Sequence, residues 1–269
     1  VVHGVHARRS ASSPSKVLKE PMTFTIWLFG IAGLCFGSFG SVLAERIPQG
    51  MSIGGRSQCS ACKRTLHPLE LIPLLSFCCL RGRCRSCKDC IGFRYPFLEI
   101  ISAALFIAAL FYRPVLPQAI VLSLILWLML IISVIDIRTQ TISDLLNIPL
   151  LALAVGYSIM LGQFEIDGIV LGVAFFGAQW AVSRGKCLGS GDIILAAGIG
   201  ALMGSWERMA VCLFLTYVLG GAIASALLIS GKVKRGQYVA FAPFLVLGAI
   251  VSIFAHSRID QFIDLYFGI

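Results

Sequence analysis

The chain has 269 residues, of which 58% are hydrophobic and 13% are charged, and its formal net charge is +9. A soluble domain of this length needs more charged residues to cover its surface, so the composition excludes an ordinary soluble globular protein. The basic residues fall mainly in the loops between apolar runs, which is typical of membrane topology and gives no reason to expect a nucleic-acid partner.

The N-terminal segment is rich in serine and shows no apolar periodicity. Residues 1–22 are therefore predicted to be a disordered tail. The first apolar run is too long for a cleavable signal peptide and lacks the small-residue pattern of a cleavage site. Residues 23–45 are accordingly predicted to form the first transmembrane helix.

Seven further apolar runs follow along the chain. With the first run, they predict an all-α polytopic membrane protein with about eight transmembrane helices. The seven further spans are predicted at 97–112, 116–135, 145–162, 166–183, 191–205, 208–230 and 240–257. They group into a transmembrane domain over 97–257, followed by a C-terminal tail over 258–269.

The lysine and arginine residues predict which loops face the cytoplasm. With the N-terminus outside and eight spans, 15 of the 22 Lys and Arg residues fall on one side of the membrane. Because cytoplasmic loops carry an excess of these residues, that side is predicted to be the cytoplasm. The segment 46–96, between the first two spans, lies on this side.

Two Cys-x-x-Cys pairs in this segment predict a zinc-ribbon-like module. Cys59 and Cys62 are separated from Cys84 and Cys87 by 21 residues. Two thiolates on a tight turn can hold one face of a tetrahedral ion, and a second turn closes the other face. A closed site of four thiolates is normally structural. His67 is an alternative ligand, and reduced, unligated cysteines or disulfides are the alternative to a metal.

The other six cysteines are not expected to bind the metal. Three of them are predicted to be spare residues of the module, and three to be buried helix residues that pack as small apolar side chains. The spare residues are Cys78, Cys79 and Cys90, and the buried residues are Cys35, Cys187 and Cys212.

Two aspartates are predicted at the same membrane boundary. Asp136 ends the third span, and Asp192 begins the sixth in the sequence Gly189-Ser190-Gly191-Asp192. A charged group near the bilayer is costly, so each is a candidate functional residue. If the bundle brings them together, they can share a proton, so that one activates water and the other protonates a scissile carbonyl. The pattern is typical of aspartic-protease chemistry, which needs no metal.

The two glycines before Asp192 have a mechanical interpretation. Without Cβ atoms, Gly189 and Gly191 permit unusual backbone dihedrals and the close approach of an extended peptide. A substrate has to be extended before a protease can reach its amide. The four-residue Gly-x-Gly-Asp pattern is weak alone and gains weight from Asp136.

A structural interpretation of these acids remains open. Asp144 is well placed as the N-cap or first-turn acid of the fourth span, and Asp192 could cap the sixth. Asp136 lies at a helix C-terminus, where an acid opposes the helix dipole. Arg138 is its candidate salt-bridge partner.

Five segments of the chain resemble one known family. They are Gly37-Ser38-Phe39 with Arg46-Ile47-Pro48, the stretch 56–100 with both Cys-x-x-Cys pairs, IDIRTQTISD from Ile135, GSGDIILAAGIGALMG from Gly189, and Phe241-Ala242-Pro243-Phe244. In this order they resemble the type IV prepilin peptidases, from about Gly33 to Phe244.

The resemblance implies a membrane aspartyl protease of the bacterial inner membrane that removes the leader of type IV prepilins and secretion pseudopilins at the cytoplasmic face. Asp136 and Asp192 would be the catalytic pair, with Gly189, Gly191 and Asp144 supporting the active site. Residues 97–257 would be the peptidase domain. Many members also N-methylate the new N-terminus with S-adenosylmethionine, an activity linked to the module 46–96.

The resemblance also implies that Cys59, Cys62, Cys84 and Cys87 bind structural zinc. Glu70 is a candidate methyl-transfer residue, and a structural salt bridge into the basic module is an equally good interpretation.

Four positions depart from the family pattern. Ser60 and Ser143 stand where the family has proline, Ile194 stands where it often has lysine, and Gly40-Ser41 replaces a common asparagine. The last change weakens the methylation assignment most.

Three other functions remain as alternatives. They are a peptidase without methyltransferase activity, a non-catalytic zinc-bearing scaffold of a pilus or secretion assembly, and a cation-driven transporter. A transporter is expected to contain an internal repeat, and the sequence has no clear one.

Overall fold

A computed structural model describes residues 19–186, 188–231 and 239–267. Within these ranges the regular structure is helical, apart from two isolated antiparallel bridges. The helices are α1 (Lys19–Arg46), α2 (Leu75–Cys79), α3 (Arg94–Tyr112), α4 (Leu116–Thr139), α5 (Asp144–Met160), α6 (Asp167–Ser183), α7 (Ser190–Met203), α8 (Trp206–Ile229), α9 (Ala242–Phe254) and α10 (His256–Phe267). The predicted all-α class is confirmed.

Four helices are long and apolar enough to cross a membrane, namely those at Met22–Gln49, Arg94–Tyr112, Leu116–Thr139 and Trp206–Ile229. The shorter helices α5, α6, α7 and α9 are also apolar. These eight helices occupy the positions of the eight predicted spans, and the number that crosses the bilayer stays a prediction.

The two ends of the chain differ in detail from the expected tails. Helix α1 begins at Lys19, inside the segment 1–22, while residues 1–18 lie outside the described residues. Helix α9, at the position of the last predicted span, ends at Phe254, and most of the segment 258–269 belongs to α10.

Glycines let α1 pack closely on α3. A Cβ added at Gly33 would lie 2.5 Å from Cα of Ala103, and one added at Gly37 would lie 2.5 Å from Cα of Glu99. Small residues four apart allow two helix backbones to approach in this way. The backbone N–H of Leu74 donates to Glu99 Oε2 at 2.8 Å, so α3 also attaches the segment that precedes α2.

Helix α7 lies inside the bundle, between α5 and α6. The N–H of Gly168 on α6 donates to the carbonyl of Gly204 at 2.7 Å, and a Cβ at Gly168 would lie 2.5 Å from the carbonyl oxygen of Gly200. On the α5 side, the hydroxyl of Ser158 donates to the carbonyl of Ala201. The backbone of α7 is therefore in direct contact with both neighbours.

Candidate active site and cysteine cluster

Asp136 lies in the last turn of α4, with only 5% of its surface exposed. Its Oδ2 accepts a 2.9 Å hydrogen bond from the backbone N–H of Ala242, and the backbone of Phe241 also donates to this carboxylate. Because Ala242 is the first residue of α9, Asp136 accepts from the N-terminus of another helix, where negative charge is favoured. Asp136 thus opposes the dipole of its own helix, α4, but caps the N-terminus of α9.

The hypothesis that Arg138 neutralises Asp136 is wrong. Nη1 of Arg138 donates to the carbonyl of Ala44 on α1 at 3.4 Å. No ion pair between Arg138 and Asp136 is present in the part of the chain that the structure describes. The reason is that the Arg138 side chain extends toward α1, whereas the Asp136 carboxylate faces α9.

Asp192 is the third residue of α7 and is 8% exposed. Its Oδ2 accepts from the N–H of Gly189 at 3.1 Å, while the N–H of Asp192 donates to the carbonyl of Gly189 at 3.2 Å. These two bonds fix the carboxylate at the start of α7. Asp192 is close enough to Asp136 for the two carboxylates to interact electrostatically.

The glycines before Asp192 do not use the unusual backbone dihedrals that the lack of a Cβ atom permits. Gly189 is extended, with φ −82° and ψ 158°, and Gly191 is not among the residues with positive φ. Gly191 does allow a close approach, but the group that approaches it is Ile142 of the same chain. A Cβ at Gly191 would lie 2.8 Å from Cβ of Ile142. Gly191 therefore lets the loop after α4 pack on the start of α7.

Asn147 lies beside the candidate site, a position that the sequence alone does not indicate. Its Nδ2 donates to the carbonyl of Gly191 at 2.7 Å, and the residue is fully buried. Its buried Oδ1 has no hydrogen-bond partner among the residues that the structure describes. The signal in the sequence is an amide inside an otherwise apolar run, because burying an amide costs free energy unless it is hydrogen-bonded.

Asp144 is the first residue of α5, directly after the N-cap Ser143, and it is exposed. This position agrees with the first-turn acid that the sequence predicts. A role for Asp144 in supporting the active site stays a prediction.

The four predicted metal ligands converge. The Sγ atoms of Cys59, Cys62, Cys84 and Cys87 all lie within 4.8 Å of one another, and those of Cys59 and Cys87 are 3.8 Å apart. A tetrahedral ion with Zn–S bonds of about 2.3 Å separates its sulfurs by about 3.8 Å. The cluster therefore has the dimensions needed to hold one such ion.

The two Cys-x-x-Cys turns have the same backbone design. In the first, the N–H of Cys59 donates to the carbonyl of Arg64 at 2.9 Å, and the N–H of Lys63 donates to the carbonyl of Cys59 at 3.0 Å. In the second, the N–H of Lys88 donates to the carbonyl of Cys84 at 3.1 Å. Lys63 and Lys88 both have left-handed backbones, with φ of 58° and 60°.

Backbone donors favour the ligating form of Cys84. The N–H groups of Cys87 and Ser86 lower the pKa of the Cys84 thiol to about 6. Since a metal binds the thiolate, a turn that directs its N–H groups at sulfur prepares the ligand.

Glu70 is held in a structural ion pair. Its two carboxylate oxygens accept from Nη2 of Arg64 at 2.7 and 2.9 Å, and Oε2 also accepts from the N–H of His67 at 2.8 Å. The His67 N–H and the Arg64 guanidinium both lower the pKa of Glu70. Arg64 also hydrogen-bonds to Cys84, so Glu70 supports a metal-ligand candidate through Arg64.

The remaining module residues are outside the cluster. His67 accepts from the N–H of Leu69 through Nδ1 and does not join the four cysteines, so it does not act as an alternative ligand. Cys78, Cys79 and Cys90 are exposed and stand apart from the cluster, as predicted.

The three cysteines predicted to be buried give different outcomes. Cys212 is buried, as predicted. The prediction is wrong for Cys35, which is exposed because it lies on the outer face of α1. Cys187 lies outside the described residues.

Comparison with known proteins decides the family. Residues 31–113 match the bacterial peptidase A24 N-terminal domain, and residues 123–225 match the type IV leader peptidase family. A protein of Bacillus subtilis (strain 168) named prepilin leader peptidase/N-methyltransferase is 33% identical over 244 residues, which cover 88% of this chain and 98% of that protein. This chain belongs to the type IV leader peptidase family.

Two other relatives carry the same name. The Pseudomonas aeruginosa protein is 27% identical over 275 residues, which cover 90% of this chain and 94% of the relative. The Aeromonas hydrophila protein is 27% identical over 206 residues, which cover 74% and 71%. No solved structure matches the chain. The resemblance inferred from the sequence motifs is confirmed.

The cysteine cluster and the aspartate pair of this family member lie in different matched regions. The N-terminal match contains the cysteine cluster and α3, and the second match contains Asp136, Gly191 and Asp192. Ala242, which donates to Asp136, lies beyond both matches.

Proposed function

We propose that this chain is a prepilin leader peptidase that cleaves the leader of type IV prepilins and pseudopilins with Asp136 and Asp192, and that it N-methylates the new N-terminus. The observation that carries the proposal is the pair of buried carboxylates, on two different helices, within electrostatic reach of each other. Membership of the family supports the same activity.

The proposed cleavage needs one ionised and one protonated carboxylate. The ionised aspartate takes a proton from a water molecule, whose oxygen attacks the scissile carbonyl carbon, and the protonated aspartate donates its proton to the carbonyl oxygen. The C–N bond then breaks, and the amine leaves with a proton from the carboxyl group that received one. The other aspartate recovers its proton from the collapsing intermediate.

The surroundings of the two aspartates support this chemistry. Each carboxylate accepts a backbone hydrogen bond at the N-terminus of a helix, Asp136 from Ala242 and Asp192 from Gly189. These bonds hold both groups in place without supplying a competing charge. Preorganised groups in a site of low dielectric stabilise developing charge better than water does.

We propose zinc as the metal of the four-cysteine cluster, where it would cross-link the two turns and take no part in cleavage. S-adenosylmethionine would supply the methyl group in the methylation step. Glu70 already binds Arg64 and the backbone of His67, so we assign it to the support of the cysteine module and not to methyl transfer.

A peptidase without methyltransferase activity is the second candidate. Position 40, near the asparagine of other family members, is glycine, and a Cβ added there would contact Ile131 and lie 3.1 Å from Nε1 of Trp127. The adjacent Ser41 is buried and donates to the carbonyl of Gly37 at 3.2 Å. Neither residue offers a free polar group for a second reaction.

The proposed location is the bacterial inner membrane, with the module 46–96 and both aspartates facing the cytoplasm. The distribution of lysine and arginine supports this orientation. The substrates are proposed to reach the 97–257 domain from the bilayer, since their uncleaved form is held there by an apolar segment.

Mass spectrometry of a co-expressed prepilin tests the proposal. Leader loss and the added mass of one methyl group are expected with the wild-type chain, and neither is expected with Asp192→Asn. Leader loss without the methyl mass would favour the second candidate. Intact prepilins in the presence of folded wild-type protein would favour the non-catalytic scaffold.

A further inference from the structure

An aromatic cluster lies beside the two aspartates, where α6, α8 and α9 meet. It consists of Phe175, Phe176, Tyr217 and Phe241. The ring of Tyr217 is 5.7 Å from those of Phe175 and Phe241, and the ring of Phe176 is 5.5 Å from that of Phe241. The backbone of Phe241 donates to Asp136, and Tyr217 is within electrostatic reach of Asp192. The cluster therefore lies next to both carboxylates, with Phe241 beside Asp136 and Tyr217 near Asp192.

A polar pair lies on the exposed side of this cluster. The hydroxyl of Tyr217 donates to Oε1 of Gln179 at 2.9 Å, across the seam between α8 and α6. Tyr217 is 42% exposed, and Phe175 beside it is 37% exposed. In a bundle that crosses a membrane, exposure on this outer surface means contact with lipid or with a molecule arriving through it.

The pair lies near the depth of the aspartates. Gln179 is four residues before the end of α6, or about 6 Å along the helix, and Asp192 is in the first turn of α7. Helices α6 and α7 are joined by only a short segment, so these two ends lie on the same side of the bundle. A peptide that reaches the aspartates along the seam between α6 and α8 would pass Tyr217 and Gln179.

The pair also retains hydrogen-bonding capacity. The Tyr217 oxygen can accept while its hydrogen is donated, and the Gln179 amide has two N–H donors. One of these donors makes only a long contact of 3.4 Å with the carbonyl of Phe175. An extended peptide backbone in a membrane needs partners of this kind, because unsatisfied amides in lipid are costly.

We infer that Tyr217 and Gln179 form a substrate-binding pair, whose mutual hydrogen bond is exchanged for bonds to the backbone of the prepilin segment that unwinds at the aspartates. The inference rests on the proposed function. The rings of Phe175 and Tyr217 form an apolar wall for the side chains next to the scissile bond. Tyr217 and Gln179 position the substrate and take no part in proton transfer.

A structural role for the same pair predicts a different pattern in a double variant. An interhelical hydrogen bond can simply stabilise the contact between α6 and α8. In that case Tyr217→Phe and Gln179→Leu each leave an unpaired partner, whereas the double variant has an apolar pair and regains both stability and activity. A substrate-binding pair regains stability in the double variant but not activity.

The test measures Tm, kcat and KM for a purified prepilin with full-length protein in nanodiscs. Tyr217→Phe and Gln179→Leu are each expected to raise KM about fivefold, the loss of roughly one hydrogen bond, with kcat changed less than about twofold. The double variant is expected to raise KM at least as much as either single variant, about fivefold or more, while its Tm returns toward the wild-type value. Tyr157→Phe is the matched control, because Tyr157 is buried and lines a cavity at the opposite end of the bundle.

Two results would overturn the inference. One is a double variant whose KM recovers together with its Tm, and the other is an unchanged KM in both single variants while wild-type protein cleaves normally. Wild-type protein that cleaves no prepilin would overturn the proposed function together with this inference.

Cross-linking provides a readout that stability cannot alter. A photo-reactive phenylalanine analogue in place of Tyr217, in the Asp192→Asn background, is expected to cross-link to prepilin residues flanking the leader junction. The same analogue in place of Tyr157 is expected to give no such product. Equal cross-linking from both positions, or none from position 217 with bound prepilin, would contradict the inference.

Discussion

The carboxylate of Asp136 accepts a 2.9 Å hydrogen bond from the backbone N–H of Ala242, although 106 residues separate them in the chain. One side chain thus joins the end of α4 to the beginning of α9. Substitutions at Asp136 therefore affect both the charge of the proposed dyad and the cap of α9. The two effects can be separated by the choice of substitution.

Asp136→Asn is expected to abolish leader cleavage and to preserve the fold. The asparagine side chain keeps an oxygen that can accept from Ala242 but cannot exchange the proton that the dyad needs. Asp136→Ala removes the acceptor as well, which typically costs about 1 kcal/mol at a helix N-terminus. Cleavage should fall at least about a thousandfold in both variants, with a lower Tm only for the alanine.

Asp167→Asn is the control for these variants, because Asp167 is an exposed first-turn acid of α6, a helix that begins at the other end of the bundle. It should cleave prepilin at the wild-type rate. Residual cleavage above about one-tenth of wild type in Asp136→Asn would show that this carboxylate is not part of the dyad.

Gly191→Ala should be far more damaging than Gly189→Ala. A Cβ at position 191 would lie 2.8 Å from Cβ of Ile142, whereas at position 189 the nearest atom is Oδ2 of Asp192 at 3.6 Å, an ordinary contact. Overpacking of this kind typically costs about 1–3 kcal/mol. Thermal unfolding and cleavage measured side by side check this order, and equal losses in the two variants would show that close packing on Ile142 is not the reason for the second glycine.

Asn147→Leu is expected to lower activity more than stability. The substitution removes the 2.7 Å bond to the carbonyl of Gly191, but it also removes a buried Oδ1 that has no partner. Loss of the hydrogen bond destabilises the fold and loss of the unpaired oxygen stabilises it by a similar amount. The free energy of unfolding should therefore change by less than about 1 kcal/mol. Because Gly191 precedes Asp192, the turn that holds the carboxylate loses a support, and kcat should fall about tenfold.

A decrease in Tm by an amount typical of a core cavity, together with an unchanged kcat, would contradict this role for Asn147. Leu146→Ala, in the adjacent buried position of α5, provides the comparison, since it creates a cavity without changing the bond to Gly191.

Arg64→Met and Glu70→Gln should both weaken zinc retention by the cysteine module. Arg64 hydrogen-bonds to Cys84 and is held there by two bonds to Glu70, and the loss of such supporting residues typically costs about 10–100-fold in metal affinity. Competition with a chelator, followed by metal analysis of the protein, measures the effect. Arg56→Met, an exposed arginine of the same module, should retain zinc like the wild type.

Leader cleavage should survive Glu70→Gln, because Asp136 and Asp192 belong to helices outside the module. Full zinc retention with loss of methylation in Glu70→Gln would contradict this assignment and favour a role for Glu70 in methyl transfer.

The helices and the cysteine cluster could be predicted because their signals are local. A long apolar run identifies a membrane helix without reference to its neighbours, and the spacing of two Cys-x-x-Cys pairs predicts that four sulfurs meet. Helix α10 does not follow from the search for apolar runs, because it is short and amphipathic, with charged and polar residues between its apolar ones.

The parts of the site that escaped prediction depend on contacts between distant segments. Nothing in the sequence around Asp136 indicates Ala242, and nothing around Gly191 indicates that Ile142 occupies the space where its Cβ would be. Arg138 is a candidate partner of Asp136 in the sequence, but residues two apart on a helix turn their side chains to different faces. The apolar character of Cys35 favours burial, but lipid also accepts an apolar side chain on the outer face of α1.

The contact of Gly168 with the backbone of α7 has a consequence for how a substrate gains entry. Helix α7 is tied to α6 at this glycine and to α5 by hydrogen bonds near both of its ends, through Asn147 and Ser158. These three helices should consequently move as one body. An opening for a peptide beside Asp192 is then expected where α8 lies against this body, with Asp192 staying in place while the entrance widens.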